Sequence, residues 1–270
     1  MLPLRDNIPS RTIPIVTYAL LAITSLAFLV QAAADNTGEA RVAERLGMVP
    51  ARVLHPDQEH LVPVPTEFQG RLVLAEKPLP AAWLPDWLTP LTCVFLHGSL
   101  MHLLGNMWFL YIFGDNVEDR LGHVGYLIFY LAAGCAASLA HLVTNAESTI
   151  PTVGASGAIA GVMGAYMLLY PRAVVLSLVP LGPIIQTMAI PAPFFLGIWF
   201  LLQVVSGVAS TAEVAGVAWW AHIGGFALGF VVAAALRAIG ETRPPVEERR
   251  FANQWGRVER QRRYRDKFWN

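Results

Sequence analysis

A serine set among glycines, in Gly154-Ala155-Ser156-Gly157, and a histidine in Ala221-His222-Ile223-Gly224-Gly225 are the residues of this chain best suited to nucleophilic chemistry. A hydroxyl attacks a carbonyl only when a neighbouring base takes its proton, and imidazole is the side chain for that task. Both residues lie in apolar segments long enough to cross a bilayer. Polar side chains at such depth are costly, and they face a protein interior or a watery cavity where they carry function. The flanking glycines leave the Ser156 hydroxyl open. The N-terminus of a helix starting near Ser156 would add unpaired N–H groups and the positive end of a dipole, suited to an oxyanion. His102 and Asn106 stand at i and i+4, on one helical face, and both can donate hydrogen bonds. With the Ser156 N–H they could complete an oxyanion hole.

Each of these residues also has an ordinary structural reading. Small residues let membrane helices approach closely, and Asn or His can clamp two helices together. Ala218, Ala221, Gly225 and Gly229 form a small-residue stripe on one helical face, and Ser156, Gly157, Ala160, Gly161 and Gly164 form another. Packing of these stripes would bring His222 toward Ser156. Glu147 and Glu213 read as loop residues, so a Ser-His dyad is expected rather than a triad. His97 is off the His102–Asn106 face and is expected to brace the adjoining loop. A metal site from His97, His102 and His222 is disfavoured, because no His-Glu-x-x-His pattern or carboxylate cluster accompanies them. Cys93 and Cys135 read as unpaired packing residues.

The chain of 270 residues is 55% apolar and 14% charged, with a mean hydropathy of +0.48, against about 25% charged in soluble domains. Between Leu121 and Gly240 the charged residues are Glu147, Arg172, Glu213 and Arg237. The expected class is an all-α, polytopic membrane protein. Zero net charge gives no sign of nucleic-acid binding. Hydropathy predicts six spans: Ile13–Ala33, Leu100–Val117, Val124–Val143, Ala155–Tyr170, Pro193–Val208 and Val214–Ala238. Arg172–Ala192 is apolar but carries Pro180, Pro183 and Pro191, so it reads as a membrane-surface connection. Asn116–Gly122 reads as a capped, salt-bridged turn. The domain division is a cytoplasmic segment 1–12, a transmembrane domain 13–240 with an external loop 35–99, and a basic cytoplasmic tail 241–270.

Orientation follows the basic residues. Arg5 and Arg11 precede the first span, and the tail has nine Lys/Arg against five Asp/Glu, whereas the loop has five against eight. Both termini are expected to be cytoplasmic, the loop external, and the membrane the plasma (inner) membrane. Spans two, four and six then all start on the outer side. That parity places His102, Asn106, Ser156 and His222 at similar depth, with His222 about nine residues into its span. Trp83 and Trp87 suggest a loop segment at the outer interface.

Taken in this order and parity, His102-Leu-Leu-Gly-Asn106, Gly154-Ala-Ser156-Gly157 and Ala221-His222-Ile-Gly-Gly225-Phe-Ala-Leu-Gly229 resemble the rhomboid family of intramembrane serine proteases. The resemblance covers about half the chain, from Leu91 to Leu236. It implies a six-helix bundle opened to water from outside, with Ser156 as nucleophile and His222 as general base. His102, Asn106 and the Ser156 N–H would hold the oxyanion. Substrates would be transmembrane proteins, cut in or beside a span without a cofactor, in the lipid bilayer. Some members have an aromatic residue four positions after the nucleophile, supporting the imidazole. Here that position is Ala160, so either another side chain, for example from span two or five, supports the ring or the ring is held less firmly. The Trp-Arg pair found in the first external loop of some members is absent from this sequence.

Overall fold

The computed structural model describes residues 1–36, 41–68, 71–209 and 218–240. The tail 241–270, Glu213 and the expected start of the sixth span at Val214 lie outside the described residues. The chain opens with strand β1 (Leu2–Asp6), followed by helix α1 (Ile15–Asp35), short helices α2 (Val42–Leu46) and α3 (Pro50–Leu54), and the strands β2 (Leu61–Phe68) and β3 (Arg71–Pro78). Short α4 (Thr89–Thr92) leads to the long helices α5 (Leu100–Leu121) and α6 (His123–Thr144), then α7 (Ser156–Leu169). Strands β4 (Val174–Leu181) and β5 (Ile184–Pro191) precede α8 (Ala192–Ala209) and α9 (Trp219–Ala238).

Four helices, α1, α6, α8 and α9, are long and apolar enough to cross a membrane. A fifth crossing exists if α5 is joined to the segment Asp86–Phe95, from which it is bent by 78°. The protein is thus a mostly helical integral membrane protein. The expected count of six is not reached by this measure: α7 has 14 residues, short of the roughly 20 needed to span. α1 is polar on the inside and apolar on the outside. Its buried residues are Thr17, Leu20, Thr24 and Gln31, while Ile23, Leu26 and Leu29 are exposed. Thr17, Leu20 and Thr24 follow the three-four spacing of one helical face. Such an arrangement suits a solvent of hydrocarbon, in which polar groups find their partners inside the protein.

α7 is the centre of the bundle. Every residue from Gly157 to Tyr166 is buried, and α5, α6, α8 and α9 pack around it. The contact with α9 is made through main chain. A Cβ on Gly225 would stand 2.0 Å from the Gly157 carbonyl oxygen, and one on Gly229 would stand 1.8 Å from that of Gly161. Only glycine permits that approach. Gly122 has φ +72° and joins α5 to α6, a backbone conformation that side chains disfavour.

Three features differ from the sequence-based expectation. The chain is not all-α: β1, β4 and β5 form one antiparallel sheet and β2 and β3 a second. Arg172–Ala192, expected as a membrane-surface connection, is built as a β-hairpin, Val174–Pro191, which the sequence reading did not include, and its β4 strand pairs with β1 across some 170 residues of sequence. Pro180 and Pro191 sit near the ends of its strands and Pro183 in the turn between them, places where proline is tolerated.

The third difference concerns Asn116–Leu121, which continues α5 instead of forming a turn. Its carboxylates serve the start of α1. Glu118 accepts from the N–H groups of Val16 (2.9 Å) and Thr17 (2.8 Å), from the Thr17 hydroxyl (2.7 Å) and from His123 Nδ1 (2.6 Å). Asp119 accepts from the Arg11 and Thr12 N–H groups and the Thr12 hydroxyl. First-turn N–H groups lack intrahelical partners, and here a distant helix supplies them.

Candidate active site

Ser156 is the first residue of α7. Before it, Gly154 has φ +134°, and a Cβ there would meet the His102 imidazole at 2.8 Å. The loop carrying Gly154 is held by a hydrogen bond from its N–H to the Cys93 carbonyl (2.9 Å). A paired bridge between Met48 and Thr152 (3.1 and 2.8 Å) ties the same loop to the external segment. Both cysteines are free thiols.

His222 lies in the first turn of α9, which starts at Trp219. It is the fourth residue of that helix; the expected start at Val214, from which the depth of nine residues is counted, lies outside the described residues. Its Nε2 accepts from the Ser156 hydroxyl at 2.8 Å. Its other nitrogen, Nδ1, donates to the Gln203 carboxamide oxygen of α8 at 2.7 Å. The Trp199 ring, one helical turn before Gln203, lies 5.8 Å from the imidazole, and that of Trp219 lies 6.2 Å away, edge-on at 89°. Ala160 is fully buried. The side chains beside His222 thus come from α8 and from α9 itself.

His102 and Asn106, near the start of α5, line the same cavity as Ser156 and His222; its volume is about 660 Å³. Asn106 Nδ2 donates to His97 Nε2 at 2.8 Å, leaving the second carboxamide proton available to the cavity. His97 therefore orients Asn106 as well as bracing a loop. Its own backbone is gripped by Gln31 of α1, whose Nε2 donates to the His97 carbonyl (2.9 Å) and whose Oε1 accepts the His97 N–H (3.1 Å). The His97 and His102 rings meet edge-to-face at 5.1 Å. Gln31, Trp199 and Gln203 were not singled out in the sequence. A glutamine within an apolar span signals only a need for a partner, and the partner is set by packing.

This arrangement can do nucleophilic acyl chemistry: a hydroxyl hydrogen-bonded to an imidazole, at a helix N-terminus, beside hydrogen-bond donors in a cavity. Among the described residues no group of three His, Cys, Asp or Glu side chains could hold a metal ion.

Comparison with known proteins identifies the family. The rhomboid domain model matches residues 85–239, more than half of the chain, and the chain belongs to the rhomboid family. It is 40% identical over 82 residues to the rhomboid protease GluP of Bacillus subtilis (strain 168), covering 30% of this chain and 16% of that protein. It is 39% identical over 77 residues to the chloroplastic Rhomboid-like protein 11 of Arabidopsis thaliana, covering 28% and 27%. It is 28% identical over 141 residues to RHOMBOID-like protein 1 of the same plant, covering 52% and 32%. The matches span less than a third of the length of each of these relatives.

Proposed function

We propose that this chain is an intramembrane serine endopeptidase acting on transmembrane proteins. The observation that carries the reading is the 2.8 Å contact between Ser156 Oγ and His222 Nε2 inside a cavity. Ser156 attacks the scissile carbonyl as His222 takes its proton. The tetrahedral oxyanion rests on His102, Asn106 and the Ser156 N–H. Its collapse expels the amine, protonated by His222, and leaves an acyl-enzyme. Water, activated by the same imidazole, then releases the acid product. No metal or cofactor takes part.

The bundle acts in this reading as six crossings over residues 13–240, with α7 the short central one and the α5 segment counted as a span. Segment 1–12 and tail 241–270 are cytoplasmic, the loop 35–99 is external, and the cavity opens outward from the plasma membrane. The substrate helix docks beside α5 and α8 and unwinds locally, since a helical peptide bond is shielded from attack.

The test is labelling of the purified, detergent-solubilised protein by a fluorophosphonate, beside Ser156→Ala and His222→Ala. Labelling of the parent and of neither variant supports the reading. A folded parent that fails to label, or a Ser156→Ala protein that labels equally, makes this a non-enzymatic helical membrane protein.

A further inference from the structure

The Ser156–His222 pair works only if the proton on the imidazole sits on Nδ1. A neutral imidazole carries one N–H, and the nitrogen facing the serine must be the acceptor. Which tautomer exists is set by the hydrogen bond that the other nitrogen makes. In a triad this orienter is a carboxylate, and replacing it by an amide that favours the wrong tautomer costs about 10⁴-fold in soluble enzymes. Here the orienter is a neutral carboxamide. Gln203 is buried on α8, its Oε1 stands 2.7 Å from His222 Nδ1, and its Nε2 donates to the Trp199 carbonyl one turn earlier, at 3.3 Å. That second bond settles which end of the carboxamide faces the imidazole. The oxygen can only accept, so Nδ1 must donate, and Nε2 is left as the acceptor for the Ser156 hydroxyl.

We infer that Gln203 is a positioning residue for the His222–Ser156 pair, supplied by α8 in place of an acidic third member and of a ring at Ala160; this rests on the function proposed above. The device matches the surroundings. A carboxylate buried at this point would need its own compensation in a segment where charged residues are almost absent, whereas an amide needs only the two bonds it makes. Trp199, on the same helix, lies beside the ring, so α8 provides both a hydrogen bond and an aromatic wall for the base. Other titratable groups acting on His222 from neighbouring helices are His102 of α5 and His141 of α6. Both are histidines, and neither supplies a negative charge.

The experiment compares fluorophosphonate labelling rates of the full-length protein with those of Gln203→Leu and Gln203→Glu across pH, with thermal unfolding in detergent as the check of fold. Gln203→Leu removes the acceptor, and labelling should slow by about tenfold or more, up to the 10²–10⁴-fold that a general base supplies in full. Gln203→Glu keeps an oxygen at the same place and adds charge. It should restore most of the rate lost in Gln203→Leu and move the acid limb of the pH profile upward by about one unit, as an opposite charge at contact distance does. A merely structural glutamine would alter unfolding and leave the acid limb of the folded protein where it was. A Gln203→Leu protein that labels at the parent rate, or a Gln203→Glu protein whose acid limb does not move, overturns the inference. Either result, obtained with a parent that labels and a His222→Ala variant that does not, leaves the serine-protease reading standing.

Discussion

α5 carries polar side chains at both ends, and the two ends use them differently. At the Leu100 end, His102 and Asn106 face a cavity and Asn106 keeps a proton to spare. At the Leu121 end, Glu118 and Asp119 are buried and accept from the backbone and hydroxyls of residues 11–17. One end has hydrogen-bonding capacity left over and space beside it. The other spends that capacity on fastening the start of α1. The number of polar groups therefore says little about reactivity in a membrane interior. Spare donors next to open volume distinguish a site from a clamp.

Substitutions at the two ends should separate the roles. The largest effect is expected from Ser156→Ala, which should abolish labelling and cleavage while leaving thermal unfolding in detergent unchanged. Asn106→Ala should slow cleavage of a transmembrane substrate by about two to three orders of magnitude, roughly 2.7–4 kcal/mol in the barrier. A rate within a factor of three of the parent would remove Asn106 from the oxyanion site. At the other end the pattern should reverse. Glu118→Ala strands the buried N–H groups of Val16 and Thr17 and should lower unfolding stability by about 1–3 kcal/mol, with the folded fraction still labelled at the parent rate. Loss of labelling without loss of stability would erase the distinction drawn here.

The smallest effect concerns Asp6, which receives hydrogen bonds from Tyr166 and from Asn116 Nδ2 at 2.8 Å. Burial pushes its carboxyl from 3.8 up to about 7; the Tyr166 hydrogen bond opposes the rise and nearby Asp115 adds to it. The native protein keeps this proton to higher pH than the unfolded chain. The resulting stability is full below the unfolded value near pH 4 and is lost as pH climbs through 7. Between about pH 6 and pH 8 the loss should be roughly 1 kcal/mol. Asp6→Asn should flatten that slope in a thermal-unfolding series.

What could be seen in the sequence is what is encoded locally. Hydropathy located α1, α5, α6, α7 and α8 to within a few residues of their ends. The glycine stripes of α7 and α9 announced a close approach, because spacings of three and four define one helical face. Pairings between distant segments left no local trace. Nothing near Leu2–Asp6 announces that it will pair with Val175–Leu178, and Glu118 does not announce that its partners are Val16 and Thr17. The apolar run preceding Trp219 likewise carries no signal of where α9 begins. Gln203 was invisible because its meaning is relational, one amide among leucines and valines until packing sets it against His222.

The near-contact of main chain at Gly157–Gly225 and Gly161–Gly229 has a mechanical consequence. Two helices kept apart by side chains can breathe as rotamers change. Two helices resting backbone on backbone have no such slack, and their spacing is fixed by covalent geometry. Ser156 and His222 stand just before the first of these contacts on their respective helices. α7 and α9 thus act as the fixed jaw of a vice for Ser156 and His222, and under the function proposed above any movement that admits a substrate falls to other helices.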